Sequence, residues 1–265
     1  MKFLMNVGAE KAGTTWLWKY FDNHPDFISC GKEMNIIERD TFIPTFTKSH
    51  EFKKDLNVWF KHVASLDKPT GDFTHYEGSS ENIFRMFKDK FEEIGVDVVP
   101  VYIMRDPISR AWSSWNMFCD FMDIHIRPAY SKIDPEKYAI IEKIYDGSGR
   151  LDFNLHPMSQ LFVGSYLNPK YQNTIQTLDN VFDEPLYFFY EDFFNQENMD
   201  LICNRMNMSS MKLDPTPVNM GTNHNPAPKE FIEKICSTYT YKKNVKFVFE
   251  RFENVPWNIS DYEKI

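Results

Sequence analysis

Apolar positions along this chain fall into short continuous runs that alternate with stretches of helical spacing. Residues 2–7 form a short apolar run of the kind found in a strand buried on both faces, and Trp16, Leu17, Tyr20 and Phe21 then recur with a helical period over 14–23. A glycine loop lies between them, so the chain opens as strand, loop, helix. "FISCGKEMNII" reads as a short strand running into a polar loop, and Leu56, Trp59, Phe60 and Val63 mark one face of a helix over 51–66. "KPTGDFTHY" predicts another short strand. Ser79 or Ser80 is placed to cap a helix over 81–94 whose stripe is Ile83, Phe84, Phe87 and Phe91, with Gly95 as its stop.

The β-branched run "VDVVPVYIM" then predicts a strand that ends at Arg105, after which Asp106 as N-cap and Pro107 at the first helical position start a new helix. Strand, crossover helix, strand is the signature of an α/β fold with a central, mainly parallel sheet flanked by helices. Residues 117–157 mix aromatics, a helical pattern at 135–145 and the flexible "DGSGR", and are read as a lid or acceptor-binding insertion. Beyond it, 157–182 is helical, "PLYFFY" predicts a buried strand leading to Glu191 and Asp192 as caps of the next helix, and 228–252 is mostly helix.

The chain has 265 residues, within reach of one hydrophobic core, so a single domain over 1–265 is expected. With 24 Phe and 13 Tyr the aromatic content is ample for that core, and Trp112, Trp115, Phe118, Phe121 and Tyr130 are read first as packing residues. A net charge of -8 without a long basic run argues against nucleic acid or a polyanionic glycan as partner, so any anion site must be local. Neither a signal-peptide core nor a run of about 18 apolar residues is present, which predicts a cytoplasmic protein without a membrane span. The four cysteines, Cys30, Cys119, Cys203 and Cys236, are scattered with no metal-ligand spacing, so reduced, packed thiols and no metal site are expected.

Chemistry concentrates in two places. In "NVGAEKAGTTWLWKYF" a loop between strand and helix aims backbone N–H groups and the positive end of the helix at one point, where a phosphate is favoured. Gly8 and Gly13 permit close backbone approach, Thr14 and Thr15 add hydroxyls, and Lys11 adds a mobile cation between the glycines, where a nucleotide kinase would instead carry lysine at position 14. The second place is "YIMRDPISRAWSSW". Its strand delivers Arg105 to the carboxyl edge of the sheet, where α/β proteins bind ligands, and Ser113 follows about two turns into the next helix. That pair suits a second phosphate. The plainer alternative is a surface arginine paired with a carboxylate.

Together, "GAEKAGTTWL" and "RDPISRAWS" resemble the 5′-phosphosulfate loop and the 3′-phosphate motif of sulfotransferases that use 3′-phosphoadenosine 5′-phosphosulfate (PAPS), with a weaker likeness through "FFYEDF" at 188–193. The resemblance implies a P-loop nucleotide-kinase-like fold and transfer of a sulfuryl group to an alcohol or phenol, with no metal. It implies that Lys11, Ala12, Gly13, Thr14, Thr15 and Trp16 hold the 5′ end of PAPS, largely by backbone, and that Lys11 steadies the leaving phosphate. Arg105 and Ser113 match the residues that hold the 3′-phosphate.

For the base that takes the acceptor proton the resemblance nominates two residues. "CGKEMNII" resembles the segment of the carbohydrate and tyrosylprotein branches that carries their catalytic glutamate, which makes Glu33 the match. "DFTHY" resembles the Lys-Thr-His segment of the small-molecule branch and nominates His75. The acceptor is a small-molecule, sugar or peptide hydroxyl. An ATP-dependent small-molecule kinase and a catalytically silent nucleotide-binding module are the rival readings; the kinase lacks a lysine at position 14 and a clear Mg²⁺ carboxylate.

Overall fold

A computed structural model describes residues 1–30, 56–121, 170–214 and 226–258. The chain divides into two compact units, one from Met1–Arg105, Lys170–Asn219 and Asn254–Pro256, the other from Asp106–Pro169, Met220–Glu253 and Trp257–Ile265.

Among the described residues the first unit is built on a five-stranded, all-parallel sheet in the order β2-β3-β1-β4-β5. Its strands are β1 (Lys2–Gly8), β2 (Ile28–Ser29), β3 (Thr70–Asp72), β4 (Asp97–Met104) and β5 (Leu186–Phe189). β1 lies at the centre because its run Phe3, Leu4, Met5, Val7 is apolar on both faces and takes cover from both sides. On one face Phe3 meets Trp59 of α2 (Leu56–Ala64) and Phe91 of α3 (Glu81–Glu93), with ring centroids 5.6 and 4.3 Å apart. Elsewhere in the unit Phe21 of α1 (Thr14–Asp22) packs on Phe27 and Phe73, at 4.9 and 6.2 Å. After β1 the chain builds β2 and β3 to one side and then crosses to place β4 on the other. The order therefore reverses beside β1, and the carboxyl ends of β1 and β4 flank the crevice in which open α/β sheets bind ligands.

Among the described residues the remaining helices of this unit are α5 (Tyr171–Val181), α6 (Tyr190–Phe193) and α7 (Gln196–Arg205). The second unit holds α4 (Pro107–Phe121), α8 (Lys229–Cys236) and α9 (Tyr239–Arg251). Its core joins Ala111, Trp115 and Cys119 to Phe231, Ile235, Tyr241 and Val245, with Trp112 edge-on to Phe231 at 5.0 Å. The packing role expected for Trp112, Trp115 and Phe118 is what α4 displays.

Local differences from the sequence reading have physical causes. Ser80 is the N-cap of α3, but its hydroxyl makes no capping bond. β5 is an edge strand of the described sheet, and only its Phe188 is buried, so "PLYFFY" is half-covered rather than a buried strand. The span 228–252 is mostly helix, as expected, and divides into two because Thr238 caps a second one by accepting from the Tyr241 amide at 3.3 Å. Glu191 and Asp192 lie exposed within the short α6, and the cap of α7 is Asn195, which accepts from the Asn198 amide at 2.9 Å. The insertion read at 117–157 falls outside the described residues from 122 onward. Among the described residues no helix is long and apolar enough to cross a membrane, and no group of His, Cys, Asp and Glu is arranged to hold a metal ion.

Candidate active site

The loop after β1 is shaped by residues that occupy left-handed backbone space. Gly8 has φ 131°, Lys11 φ 64° and Gly13 φ 83°, and the turn closes with the Ala12 amide on the Ala9 carbonyl at 3.2 Å. The Ala9 amide donates to the Ile103 carbonyl at 2.7 Å, which fastens the start of the loop to β4. Gly13 is the N-cap of α1 and its carbonyl accepts from the Trp16 and Leu17 amides at 3.0 and 3.1 Å, so the amides of Thr14 and Thr15 are those at the helix end, with its positive dipole behind them. Only glycine fits there. A Cβ on Gly13 would stand 2.7 Å from Cζ of Phe194 and 3.4 Å from Cδ2 of Tyr190. Trp16 and Thr14 are buried, and the Trp16 ring packs edge-on to Phe194 at 5.1 Å, so the indole is a floor for the loop, while the Trp16 amide donates to the Gly13 carbonyl at 3.0 Å.

Arg105 emerges from the end of β4 directly against this loop. Its Nη1 donates to the Lys11 carbonyl at 2.8 Å, and its guanidinium carbon lies 4.3 Å from the centre of the Tyr190 ring. Tyr171 fixes the backbone at the same point, since its hydroxyl donates to the Arg105 carbonyl at 2.5 Å. Among the described residues Arg105 has no carboxylate partner, and its buried Nε has no acceptor, which removes the plain ion-pair reading in this part of the chain. A guanidinium held by a carbonyl and a ring face, with donors unspent, beside a glycine loop at a helix N-terminus, fits a phosphate or sulfate group.

The segment after β3 supplies the third wall. The Tyr76 amide donates to the Val7 carbonyl at 2.9 Å, tying 75–77 to the end of β1, and a Cβ on Gly8 would come within 3.4 Å of Cβ of Glu77. His75 is thus brought to the same sheet edge as Lys11 and Arg105, half-buried. Glu77 accepts from the Tyr102 hydroxyl at 2.9 Å and from the Lys170 amide at 3.2 Å, which joins β4 and α5 to the loop. Beneath them Asp72 is buried. One of its oxygens accepts from the Thr74 amide at 3.1 Å and the Thr74 hydroxyl at 2.7 Å, and the other accepts from the Tyr76 hydroxyl. Burial pushes the Asp72 carboxyl up to about 6, although the bonds from Tyr76 and Thr74 pull the other way. Burial likewise pushes up the neighbouring Cys30 thiol.

Of the residues expected from sequence, Lys11, Ala12, Gly13, Thr14, Thr15 and Trp16 form the loop and helix start, and Arg105 and His75 stand beside it. Asp106 caps α4, accepting from the Ser109 amide at 2.7 Å, and Ser113 lies half-buried on that helix in the other unit. Glu33 lies outside the described residues. Sequence reasoning missed Asp72, Glu77, Tyr171 and Tyr190. Asp72 opens the "DFTHY" that nominated His75 and Glu77 follows it, and two carboxylates around one candidate base were a signal that could have been weighed.

No family model matches the chain, and no curated relative does. Solved structures do. A sulfotransferase from Alicyclobacillus acidocaldarius superposes with a TM-score of 0.56 at 14% identity, covering 94% of this chain and 96% of that one. A mouse sulfotransferase complexed with PAP matches at 13% identity over 98% of this chain and 67% of that one, with a TM-score of 0.40. The chain has a sulfotransferase-like fold, an α/β architecture whose parallel sheet is flanked by helices.

Proposed function

We propose that the chain is a sulfotransferase that moves the sulfuryl group of PAPS to the hydroxyl of an alcohol or phenol, whether small molecule, sugar or peptide. The observation that carries this reading is the union of the two anion motifs, in which Arg105 is bonded to the Lys11 carbonyl inside the glycine loop. In this reading the loop from Lys11 to Trp16 cradles the 5′ phosphosulfate, with the amides of Thr14 and Thr15 at the helix start turned to it, and Arg105 reads the 3′-phosphate; the family resemblance adds Ser113 to that phosphate.

The transfer is an in-line displacement. A base, Glu33 or His75, takes the acceptor proton as the acceptor oxygen bonds to sulfur, while the bond from sulfur to the bridging oxygen breaks. The electron pair leaves with 3′-phosphoadenosine 5′-phosphate (PAP), and Lys11 stabilises the charge that grows on that oxygen. No metal is required, and a cytoplasmic, single-domain enzyme with its acceptor side drawn from 117–157 is part of the same reading.

Two measurements test it. Labelled PAPS incubated with pooled alcohols, phenols, sugars and tyrosine peptides should give a labelled product, and calorimetry with EDTA should leave PAP binding intact. Strict Mg²⁺ dependence with tight ATP binding would replace the sulfotransferase by the kinase, and PAP binding without transfer to any acceptor would leave the silent module.

A further inference from the structure

The carboxylate of Asp72 is buried at the carboxyl end of β3, as the register partner of Met5, and therefore lies on the sheet face that also carries Phe3. A buried carboxylate that neither pairs with a cation nor reaches solvent is costly, so its persistence calls for a use. Its side-chain bonds run forward into the next four residues: the Thr74 amide, the Thr74 hydroxyl and the Tyr76 hydroxyl. These three donors fold residues 72–76 into a fixed turn. The turn is anchored at its far end, where the Tyr76 amide reaches the Val7 carbonyl at 2.9 Å and the Gly78 amide reaches the Thr174 hydroxyl at 3.0 Å. The Tyr76 ring is itself wedged against Phe87, with centroids 5.7 Å apart. His75 sits at the middle of this turn, between the two residues that the carboxylate holds.

We propose that Asp72 is a positioning residue for sulfuryl transfer: by fixing Thr74 and Tyr76 it sets His75 and the 75–77 backbone against the glycine loop, where His75 meets the acceptor hydroxyl. This rests on the sulfotransferase reading. What the turn needs from position 72 is acceptor geometry. An asparagine keeps an oxygen for both Thr74 donors, and its amide nitrogen can donate to a Tyr76 hydroxyl that turns to accept. An alanine supplies neither. A misplacement of about 1 Å costs on the order of a hundredfold in turnover without removing the nucleotide site.

The test compares Asp72→Ala, Asp72→Asn and Thr74→Val, the last keeping shape while removing one donor in case the alanine variant does not fold. For each, kcat, the Kd for PAP and the exchange rate of the Tyr76 amide are measured. Asp72→Ala should lower kcat by about 10- to 100-fold with the PAP Kd within about threefold, Thr74→Val should fall in between, and Asp72→Asn should restore kcat to within a few-fold. Tyr76 amide exchange should quicken in Asp72→Ala and stay slow in Asp72→Asn. The proposal is overturned if Asp72→Ala or, where that variant does not fold, Thr74→Val turns over like the wild type, if PAP affinity falls in step with kcat, or if asparagine is as damaging as alanine. A wild-type chain that binds PAP but transfers nothing sinks the sulfotransferase reading instead, and the Tyr76 exchange rates then decide on their own whether Asp72 holds the turn.

Discussion

Arg105 donates from Nη1 to the backbone carbonyl of Lys11 at 2.8 Å, so the end of β4 is tied to the middle of the loop that follows β1. The bond has two consequences. It orients the guanidinium over the crevice at the reversal of strand order, and it holds Lys11 in its left-handed conformation, φ 64°, which a lysine does not choose unaided.

Arg105→Ala therefore removes a phosphate reader and a loop strut together. A charge-assisted hydrogen bond contributes about 1.5–3 kcal/mol, so PAP binding should weaken by roughly ten- to a hundredfold or more. Adenosine 5′-phosphate, which lacks the 3′-phosphate, should weaken by only about a few-fold, the share that belongs to the loop. Calorimetry on both nucleotides separates the two effects. Equal losses would mean that Arg105 only braces the loop.

Lys11 has a different thermodynamic signature. In sulfuryl transfer the charge on the bridging oxygen develops as the bond to sulfur breaks, so a cation placed there stabilises the transition state more than bound PAPS. Lys11→Ala should lower kcat far more than it raises the KM for PAPS. Weakened binding with unchanged turnover would make Lys11 a ground-state anchor.

Gly13 is fixed by two independent constraints, φ 83° and the Phe194 ring 2.7 Å from where a Cβ would stand. Gly13→Ala takes on a left-handed penalty of about 1–2 kcal/mol and must also displace the ring. Thermal melts should drop by several degrees and PAP affinity should fall with them. Adding Phe194→Ala relieves the contact and should recover part of the loss, because the backbone penalty remains. A Gly13→Ala chain with wild-type melting and affinity would contradict the close packing of loop and α6.

The pH dependence of stability isolates Asp72. Its carboxyl is raised from 3.8 to about 6, so between these values the folded chain holds a proton that the unfolded chain has released. Stability from this group is present below about pH 4 and is lost as pH rises through about 6, at roughly 1.4 kcal/mol for each pH unit crossed between the two values. Relative to Asp72→Asn, the wild type should lose stability on going from pH 4 to 7 in denaturant titrations. A gain over that interval would mean that the carboxylate is held ionised by a partner.

These sites were legible in the sequence to different depths. β1, α1 and the end of β4 follow from local pattern: an apolar run, a helical stripe, and an Asp-Pro start that does cap α4 through the Ser109 amide. The nearness of Lys11 and Arg105 followed from topology, since two parallel strands end on one edge. Tyr171 and Tyr190 were not legible. Tyr171 reaches a residue 66 positions earlier, and Tyr190 acts through a ring face over a guanidinium, which no spacing rule encodes. Asp72 was hidden for another reason: a polar residue at a strand end reads as a turn former, and only burial reveals that its carboxylate is committed to Thr74 and Tyr76.

The identity of the base is the last question that substitution can decide. His75 stands at the sheet edge beside the loop, and imidazole, at about 6.5 unperturbed, matches the proton affinity that base catalysis near neutrality requires. Glu33 is nominated by sequence alone and lies outside the described residues, and a carboxylate, at about 4.3 unperturbed, needs desolvation to serve as well. The sequence likeness nominates both residues, and the place of Glu33 after the first strand-loop-helix unit is what favours it. General bases contribute about 10²–10⁴-fold, so the two single variants should separate clearly. Glu33→Gln is expected to lose that factor in kcat while binding PAP normally, and His75→Asn is expected to fall by about 10- to 100-fold in kcat, in step with Asp72→Ala, and to raise the KM for the acceptor, as befits a residue that orients the hydroxyl. A Glu33→Gln enzyme that turns over normally while His75→Asn is inactive would reverse the assignment and make the Asp72 turn the support of the base itself.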